Sequence, residues 1–493
     1  ILESVVPMAD EAAWSASVTR EKPGTGWQTV NFDANGWKDE QGAFGSQGYP
    51  DIRTRWTEEH SDIYVRRTVE LNNADADADL YLIYSHDDAF ELYINGTKVV
   101  DTGETWKTGE VLHLDGKLKG LLKPGHNLIA AHCHNTNGGA YLDFGVFKNV
   151  KKKGAEVNTA VQKSVDVLAT NTYYTFKCGP VELDVVFTAP MLIDNLDLLS
   201  TPINYISYQV RSTDKKAHNV QFYLGASPLM AVNKANQPTE STHGSKDGID
   251  FVKTGTIDQA ILAKTGDGIC IDWGYFYLPA VNGEVSLAPA QEMENSFVSS
   301  GKLAPSQEKI VSYKISQMPT LAYMHDFGTM QTGASFAMLG YDEIYDIEYM
   351  YHRYKGYWAR DGKTIFQAFN ELKQGYERIM GECCALDKRI YDDGLAAGNA
   401  KYAEILSGSY RHVIAAHKLF RDNEGNLLFF SKENNSNGCV NTVDLTYPSA
   451  PLFLIYNPEL QKGMMTSIFE YSRSERWVKP FAAHDLGTYP RAN

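Results

Sequence analysis

The densest group of side chains able to do chemistry lies between Phe429 and Pro448. It holds two carboxylates, Glu433 and Asp444, four amides, Asn434, Asn435, Asn437 and Asn441, several hydroxyls and the thiol of Cys439. A second polar group, His484-Asp485-Leu486-Gly487-Thr488-Tyr489-Pro490-Arg491, follows near the end. Two carboxylates that share a cleft can divide into general acid and general base when their surroundings separate the two pKa values. Glu433, Asp444 and Asp485 are therefore the candidate catalytic residues. His484 and Asn437 are polar partners able to orient a substrate. A long polar loop between helices is uncommon and often functional, whereas the structural alternative is that these loops cap helices and bind water. Cys439 has no base beside it in sequence, so spacing lends no support to a nucleophilic role.

Other matches carry less. The pattern S-x-x-K occurs at Ser212, Ser299 and Ser306, each in polar turn or loop sequence rather than at the head of a buried helix. His132-Cys133-His134 places two imidazoles on one face of a strand and the thiol on the other. A shared zinc would need a third ligand from elsewhere, so these residues read as polar groups near a loop mouth. His412 and His417 diverge on a predicted helix, and His417 reads as a satisfied core histidine. The sequence holds no GxSxG, HExxH, P-loop or strand–GxGxxG–helix pattern. Its six cysteines form no CxxC pair. No metal or cofactor is expected.

Elements must position these residues, and length and composition bound what those elements are. The 493 residues suggest about three domains at ~150 residues each. A net charge of −15 makes nucleic acid or an anionic membrane an unsuitable partner, because phosphate binding needs clustered Lys and Arg. The densest basic run, Lys151-Lys152-Lys153, reads as a solvated hinge. No apolar run approaches the ~18–20 residues of a transmembrane helix. The first residue is Ile1 rather than Met, which fits a removed signal peptide or a trimmed start.

Residues 1–150 read as β. Ile63 to Leu71 alternates, and Phe90 to Ile94 runs through Asn95-Gly96 into Thr97 to Val100, a hairpin with the dipeptide of a type I′ turn. Residues 155–318 read as a second, larger antiparallel sandwich. In it Tyr205–Val210 and Val220–Leu224 form a predicted hairpin, and Gly268–Leu278 a buried aromatic strand. After Pro319 the period turns helical: Ile365, Phe369, Leu372, Tyr376 and Ile379 share one face, and Asn457-Pro458 supplies an N-cap and a first-turn proline. Residues 320–493 are thus the predicted helical domain.

Two resemblances follow. Trp37, Phe44-Gly45, Thr54-Arg55-Trp56, His86 to Gly96 and Lys123-Pro124-Gly125-His126 resemble the galactose-binding-like jelly roll attached to many extracellular glycan enzymes. Tyr341-Asp342-Glu343-Ile344, Ser409-Tyr410-Arg411-His412, Phe430-Ser431-Lys432-Glu433, Thr442 to Pro448 and Phe481 to Gly487 resemble the fungal and bacterial glutaminase A family. Phe187-Thr188-Ala189-Pro190, Ser200 to Ile206 and Asp272 to Leu278 extend that resemblance into the middle domain. It implies an N-terminal jelly-roll β-sandwich, a second large antiparallel β-sandwich and a C-terminal (α/α) toroid, in an enzyme that is secreted, periplasmic or on the cell surface.

The family name implies hydrolysis of L-glutamine to L-glutamate and ammonia. Such a site needs an acid/base, an anion near the ammonium and a cation near the carboxylate. Glu433 and Asp444 are candidates for the first two, and Arg411 or Arg491 for a bidentate clamp on the carboxylate. The alternative is a glycoside hydrolase of the (α/α)6 type, using a pair among Glu433, Asp444 and Asp485 with Trp477 stacking the sugar. A non-enzymatic glycan-binding protein is a third reading. Twelve helices with their loops need well over ~200 residues, more than 320–493 provides. The toroid is therefore expected to be incomplete, its remainder a further segment of the same protein.

Overall fold

The computed structural model describes residues 2–46, 51–150, 157–433 and 437–493, and divides them between two compact units, Ile1–Lys153 and Gly154–Asn493. The Lys151–Lys153 hinge predicted from sequence lies outside the described residues, as do Asn434, Asn435 and Ser436.

The first unit is a sandwich of two six-stranded sheets. One runs Lys38–Gly42, Trp14–Thr19, Ser61–Leu71, Gly125–Asn135, Ala89–Ile94, Thr97–Asp101. The other runs Lys107–His113, Leu80–Asp87, Tyr141–Asn149, Phe44–Gly45, Thr54–Arg55, with Leu2–Val6 paired to Tyr141–Asn149. Side chains of a strand alternate between faces, so Ile63 and Val65 meet Phe90, Leu92, Ile129, Ala131 and Cys133 in a core shared with Leu82, Phe144 and Val146 of the other sheet. The Asn95-Gly96 hairpin is present, with φ of 48° and 89° at its two turn residues. His132 and His134 share the opposite face from Cys133, and both approach one oxygen of Asp62, at 2.7 and 3.0 Å. They sandwich a carboxylate rather than meeting one another.

The second unit is layered. Its nine-stranded antiparallel sheet runs Val161–Val167, Asn171–Cys178, Val181–Thr188, Ile203–Ser212, Thr332–Asp342, Tyr275–Pro279, Ile249–Thr256, Thr239–Lys246, Lys309–Ser312. One face carries Tyr208, Val252, Phe276, Leu278 and Ala337 against Val285, Leu287, Leu321 and Tyr323 of a three-stranded sheet, His218–Ala226, Pro319–Met330 and Glu284–Pro289. The other face carries Tyr205, Phe251, Tyr277 and Met338 against the helices.

Three sequence readings differ from the structure. Ile203–Ser212 and His218–Ala226 do not form a hairpin: the first pairs with Val181–Thr188 and Thr332–Asp342, the second with Pro319–Met330 in the other sheet. The turn between them crosses from one layer to the next. Residues 320–342 are also not helical but supply Pro319–Met330 and Thr332–Asp342, a strand in each sheet, and the first helix after them of ten residues or more is Ile365–Gln374. Leu, Ala and Met make Leu321–Met324 locally helix-compatible, but tertiary pairing overrides so weak a preference. The predicted strand over 268–278 is confined to Tyr275–Pro279.

The helices that follow these strands are Ile365–Gln374, Tyr376–Ala397, Ala400–Ala415, Val443–Tyr456 and Pro458–Arg473, the last capped by Asn457 with Pro458 in its first turn. Between the third and fourth lies a hairpin, His417–Arg421 with Leu427–Ser431. Asp387 fastens helix to sheet. Only 1% exposed, it accepts from the Thr170 backbone N–H (2.6 Å), the Thr170 hydroxyl (2.8 Å) and Asn171 Nδ2 (2.7 Å). Removing this carboxylate strands buried donors, each of which costs about 1–3 kcal/mol when unpaired. Asp387→Ala should therefore lower the unfolding free energy by about 3 kcal/mol in urea titrations. A loss below about 1 kcal/mol would show that the fastening is unimportant.

Candidate functional site

Three short backbone segments build the site. Residues 431–433, 438–441 and 484–489 lie side by side through Asn441 N to Ser431 O (2.8 Å), Glu433 N to Cys439 O (3.1 Å), Val440 N to Gly487 O (2.8 Å), Leu486 N to Val440 O (3.0 Å) and Tyr489 N to Gly438 O (2.7 Å). Their apolar members Phe430, Val440, Leu486 and Tyr489 enter a core with Trp273, Tyr349, Phe420 and Ile468. Strand-like alternation then turns Cys439 and Asp485, next to Val440 and Leu486, away from that core. Two further constraints hold the loop. Asn441, at φ 54°, donates from Nδ2 to Met464 O (2.7 Å) and Ser467 Oγ (2.9 Å) on the helix Pro458–Arg473. A Cβ on Gly438 would stand 2.2 Å from the Gly266 carbonyl oxygen, so the close approach needs glycine.

The structure gathers most of the predicted residues. Asp444, in the first turn of Val443–Tyr456, places Oδ1 3.6 Å from His484 Nε2, while Asp485 Oδ2 lies 2.8 Å from His484 Nδ1. The hydrogen bond to Asp485 and the charge of Asp444 raise the pKa of His484 above its ordinary value. Asp485 also accepts from Gly487 N at 2.8 Å. Cys439 Sγ, His484 and Asp485 lie mutually within 4.8 Å, so the base absent from the neighbourhood of Cys439 in sequence is supplied by the fold. Asn437 turns its Oδ1 to the Cys439 N–H (2.8 Å) and shapes the loop.

Three predicted residues stand elsewhere. Arg411 donates to Leu168 O, Asn171 O and Thr172 Oγ1 at 2.9, 3.2 and 2.7 Å, tying a helix to the sheet instead of offering a clamp. Arg491 is likewise committed to the carbonyls of Leu262 and Ala263, both at 2.9 Å. Trp477 donates to the Phe481 carbonyl and packs on Tyr471 and Phe481 within its own segment.

Beside the loops the structure shows a cavity of about 330 Å³ that sequence reasoning missed, within the ~300–1,000 Å³ range of small-molecule sites. His417, Lys418, Lys432, Cys270 and Tyr489 line it. His417 is not on a helix but opens the strand His417–Arg421. Burial lowers its pKa to about 4, so the ring is neutral. Its Nδ1 donates to Val413 O (2.5 Å), leaving Nε2 as an acceptor with no hydrogen-bond partner among the described residues. Tyr489 OH, also buried, has no hydrogen-bond partner among them either. Two lone polar atoms at one cavity are the mark of a place that takes a polar ligand or water.

Lys418 pairs with Glu343 and lies 3.9 Å from Asp346. Their side chains are 25%, 10% and 17% exposed, so two carboxylates share one ammonium in a poorly solvated place. Burial therefore raises the Glu343 pKa to about 7 despite the ammonium beside it. One signal could have found this group: Lys418 and Phe420 share a strand face, which sets a charge among core aromatics.

These observations define a class of protein: β-sandwiches joined to helical hairpins, with a cavity beside the loops 431–433, 438–441 and 484–489. The comparisons agree. Residues 170–393 match a domain of unknown function, DUF5127, and residues 399–493 match the glutaminase A six helical-hairpin domain. Glutaminase A of Aspergillus oryzae is 30% identical over 358 residues, 69% of this chain and 51% of that protein. A probable glutaminase of Arthroderma benhamiae is 33% identical over 88 residues, 18% of this chain and 10% of that protein. The chain is a homologue of glutaminase A and matches that family, spanning about half the length of the Aspergillus protein. Among solved structures, a Bacteroides uniformis β-glucuronidase covers 71% of this chain and 28% of its own at 9% identity, with a TM-score of 0.24. A glycosyl hydrolase family 2 member from Bacteroides cellulosilyticus covers 57% and 34% at 9% identity, with a TM-score of 0.23.

The Glu343 geometry makes a prediction. A carboxyl whose folded pKa is raised contributes stability that is present below about pH 4.5 and lost as pH rises through about 7. Glu343→Gln should flatten the dependence of unfolding free energy on pH between 5 and 8. An unchanged slope would mean that Glu343 titrates normally.

Proposed function

We propose that this chain is the cleft-forming part of an exported, glutaminase-like amidohydrolase that converts L-glutamine to L-glutamate and ammonia. The observation that carries the reading is the relationship to Aspergillus oryzae glutaminase A, which extends over 358 residues. Residues on and beside the three loops can supply the chemistry such a reaction needs. Lys432, half-buried, borders the cavity and stands 5.6 Å from the Tyr489 ring, a cation suited to the substrate carboxylate once Arg411 and Arg491 are engaged elsewhere. Asp444 and Asp485 form a negative wall suited to the α-ammonium. Glu433, whose backbone N–H is fixed by Cys439 O, is the acid/base that activates water and protonates the departing ammonia. The helical hairpins of residues 376–473 are read as the beginning of an (α/α) toroid, and the export as a property shared with the family.

The chain, and the longer protein if one exists, should release ammonia from glutamine in a coupled glutamate dehydrogenase assay. Glu433→Gln should lower kcat by about 100-fold or more, the usual scale of acid/base removal. Lys432→Met should act mainly through KM. Folded protein that releases no ammonia in either form would sink the reading. Secretion is checked by fractionating the native source.

A further inference from the structure

The loops that build the site carry a donor set of which the hydrolytic reading uses only Asp485, as part of a negative wall. Cys439 Sγ, a ring nitrogen of His484 and a carboxylate oxygen of Asp485 lie mutually within 4.8 Å. In a tetrahedral zinc site, metal–sulfur bonds of about 2.3 Å and metal–nitrogen bonds of about 2.0 Å set ligand atoms roughly 3.3–3.8 Å apart. Only a small opening of the 2.8 Å contact between His484 Nδ1 and Asp485 would admit an ion. The donors are also placed by backbone rather than by chance rotamers. Cys439 faces Thr488 across a β-bridge, and Val443 N to His484 O (2.9 Å) fixes the neighbouring strand end.

A second feature concerns what stands behind the imidazole. Asp444 Oδ1 lies 3.6 Å from His484 Nε2, on the ring edge away from Asp485. A carboxylate behind a ligating histidine fixes ring orientation and raises ligand basicity, and is one of the usual partners of such a ring, with backbone carbonyls and water. Asp444 and Asp485 stand at the two nitrogens of the imidazole, so negative charge surrounds the place a cation would take. The side chain of His484 is 59% exposed, which leaves room for water as a fourth ligand.

We propose that Cys439, His484 and Asp485 bind one divalent transition-metal ion of the zinc class, with Asp444 orienting His484 from behind and water in the open position. A thiol and an imidazole select zinc or cobalt over calcium and magnesium, which prefer six or more oxygen ligands. On binding, the Cys439 S–H bond breaks, the sulfur–metal bond forms, and the proton passes to solvent. The competing role for Cys439, a nucleophile served by His484, needs a thiolate without an ion. Here His484 Nδ1 is held by Asp485 at 2.8 Å and Nε2 faces Asp444 at 3.6 Å, so both ring nitrogens are engaged by carboxylates rather than by the thiol.

The site is built on the same loops as the proposed substrate cavity but on none of the residues that line it, and it does not depend on glutamine as substrate. The test is a cobalt(II) titration of the metal-free full chain, followed by absorption. The expected result is one Co²⁺ per chain with a thiolate-to-cobalt charge-transfer band, displaced by one equivalent of Zn²⁺. Cys439→Ser should abolish that band. Asp444→Asn should keep it and weaken binding about 10–100-fold, the scale of outer-partner loss. Circular dichroism melts establish that each variant folds, and the Asp444 variant keeps the test open if the Cys439 variant does not. Absence of the band in the native chain, its persistence in Cys439→Ser, or unaltered affinity in Asp444→Asn would each overturn the proposal. Ion binding without ammonia release would leave it standing and count against the glutaminase reading alone.

Discussion

A sheet whose central strands are buried on both faces is the constraint on which the second unit depends. Those strands cannot keep a polar side, so alternate residues must find different apolar partners. Tyr205, Phe251, Tyr277 and Met338 meet helices, whereas Tyr208, Val252, Phe276, Leu278 and Ala337 meet the small sheet. The neighbours Phe276, Tyr277 and Leu278 contribute to both cores within three residues. Helices pack on the sheet because one face of it would otherwise be wet, and the loops that leave those helices build the cleft. Polar fasteners are confined to the seams, where Asp387 and Arg411 satisfy the backbone and side chains of residues 168–172.

Local chemistry was legible in the sequence and layer assignment was not. Asn95-Gly96 reads correctly because a type I′ turn needs positive φ at both positions, a requirement met within two residues. Asn457-Pro458 reads correctly because an N-cap side chain and a first-turn proline are requirements just as local. The segments 203–212 and 218–226 both alternate and are joined by a turn, but nothing in a turn says whether the next strand stays in its sheet or crosses to the other. The run Leu321–Met324 has residues that suit either element, and its pairing partners lie far away in sequence, at Ala226 to Tyr223 and at Val285 to Leu287.

The candidate site shows the same division. Polarity alone drew attention to Glu433, Asp444, His484 and Asp485, and the structure sets Asp444 and Asp485 at the two nitrogens of one imidazole. Polarity misjudged Arg411, because a guanidinium on a helix looks equally available whether it faces solvent or a row of carbonyls. It also passed over Lys418, Glu343 and Asp346, which come from two distant segments, the turn 343–346 and the strand His417–Arg421, and acquire meaning only when buried together. Beside them Ile344 holds φ at 65°, with its N–H bound to Asp342 Oδ1 at 2.9 Å. A β-branched residue pays for that conformation, so the turn is over-determined by its surroundings, as turns beside functional groups often are.

Charge distinguishes the two sides of the cleft. On the inner side Lys418 is outnumbered by carboxylates, and burial resolves the imbalance by favouring a proton on Glu343. On the outer side the imbalance is similar, with Asp444, Asp485, Glu433 and Asp267 acting on Cys439 and His484, but solvent is near and protonation is not the only remedy. A cation brought from solution resolves it equally well, whether an ammonium on a substrate or a metal ion on a thiolate. The two occupants make different demands. An ammonium needs only negative charge, which Asp444 and Asp485 already supply, whereas a thiol contributes nothing to its binding. A soft ligand standing among hard ones therefore argues for an ion that can use sulfur, and Cys439 is the residue that separates these two outcomes.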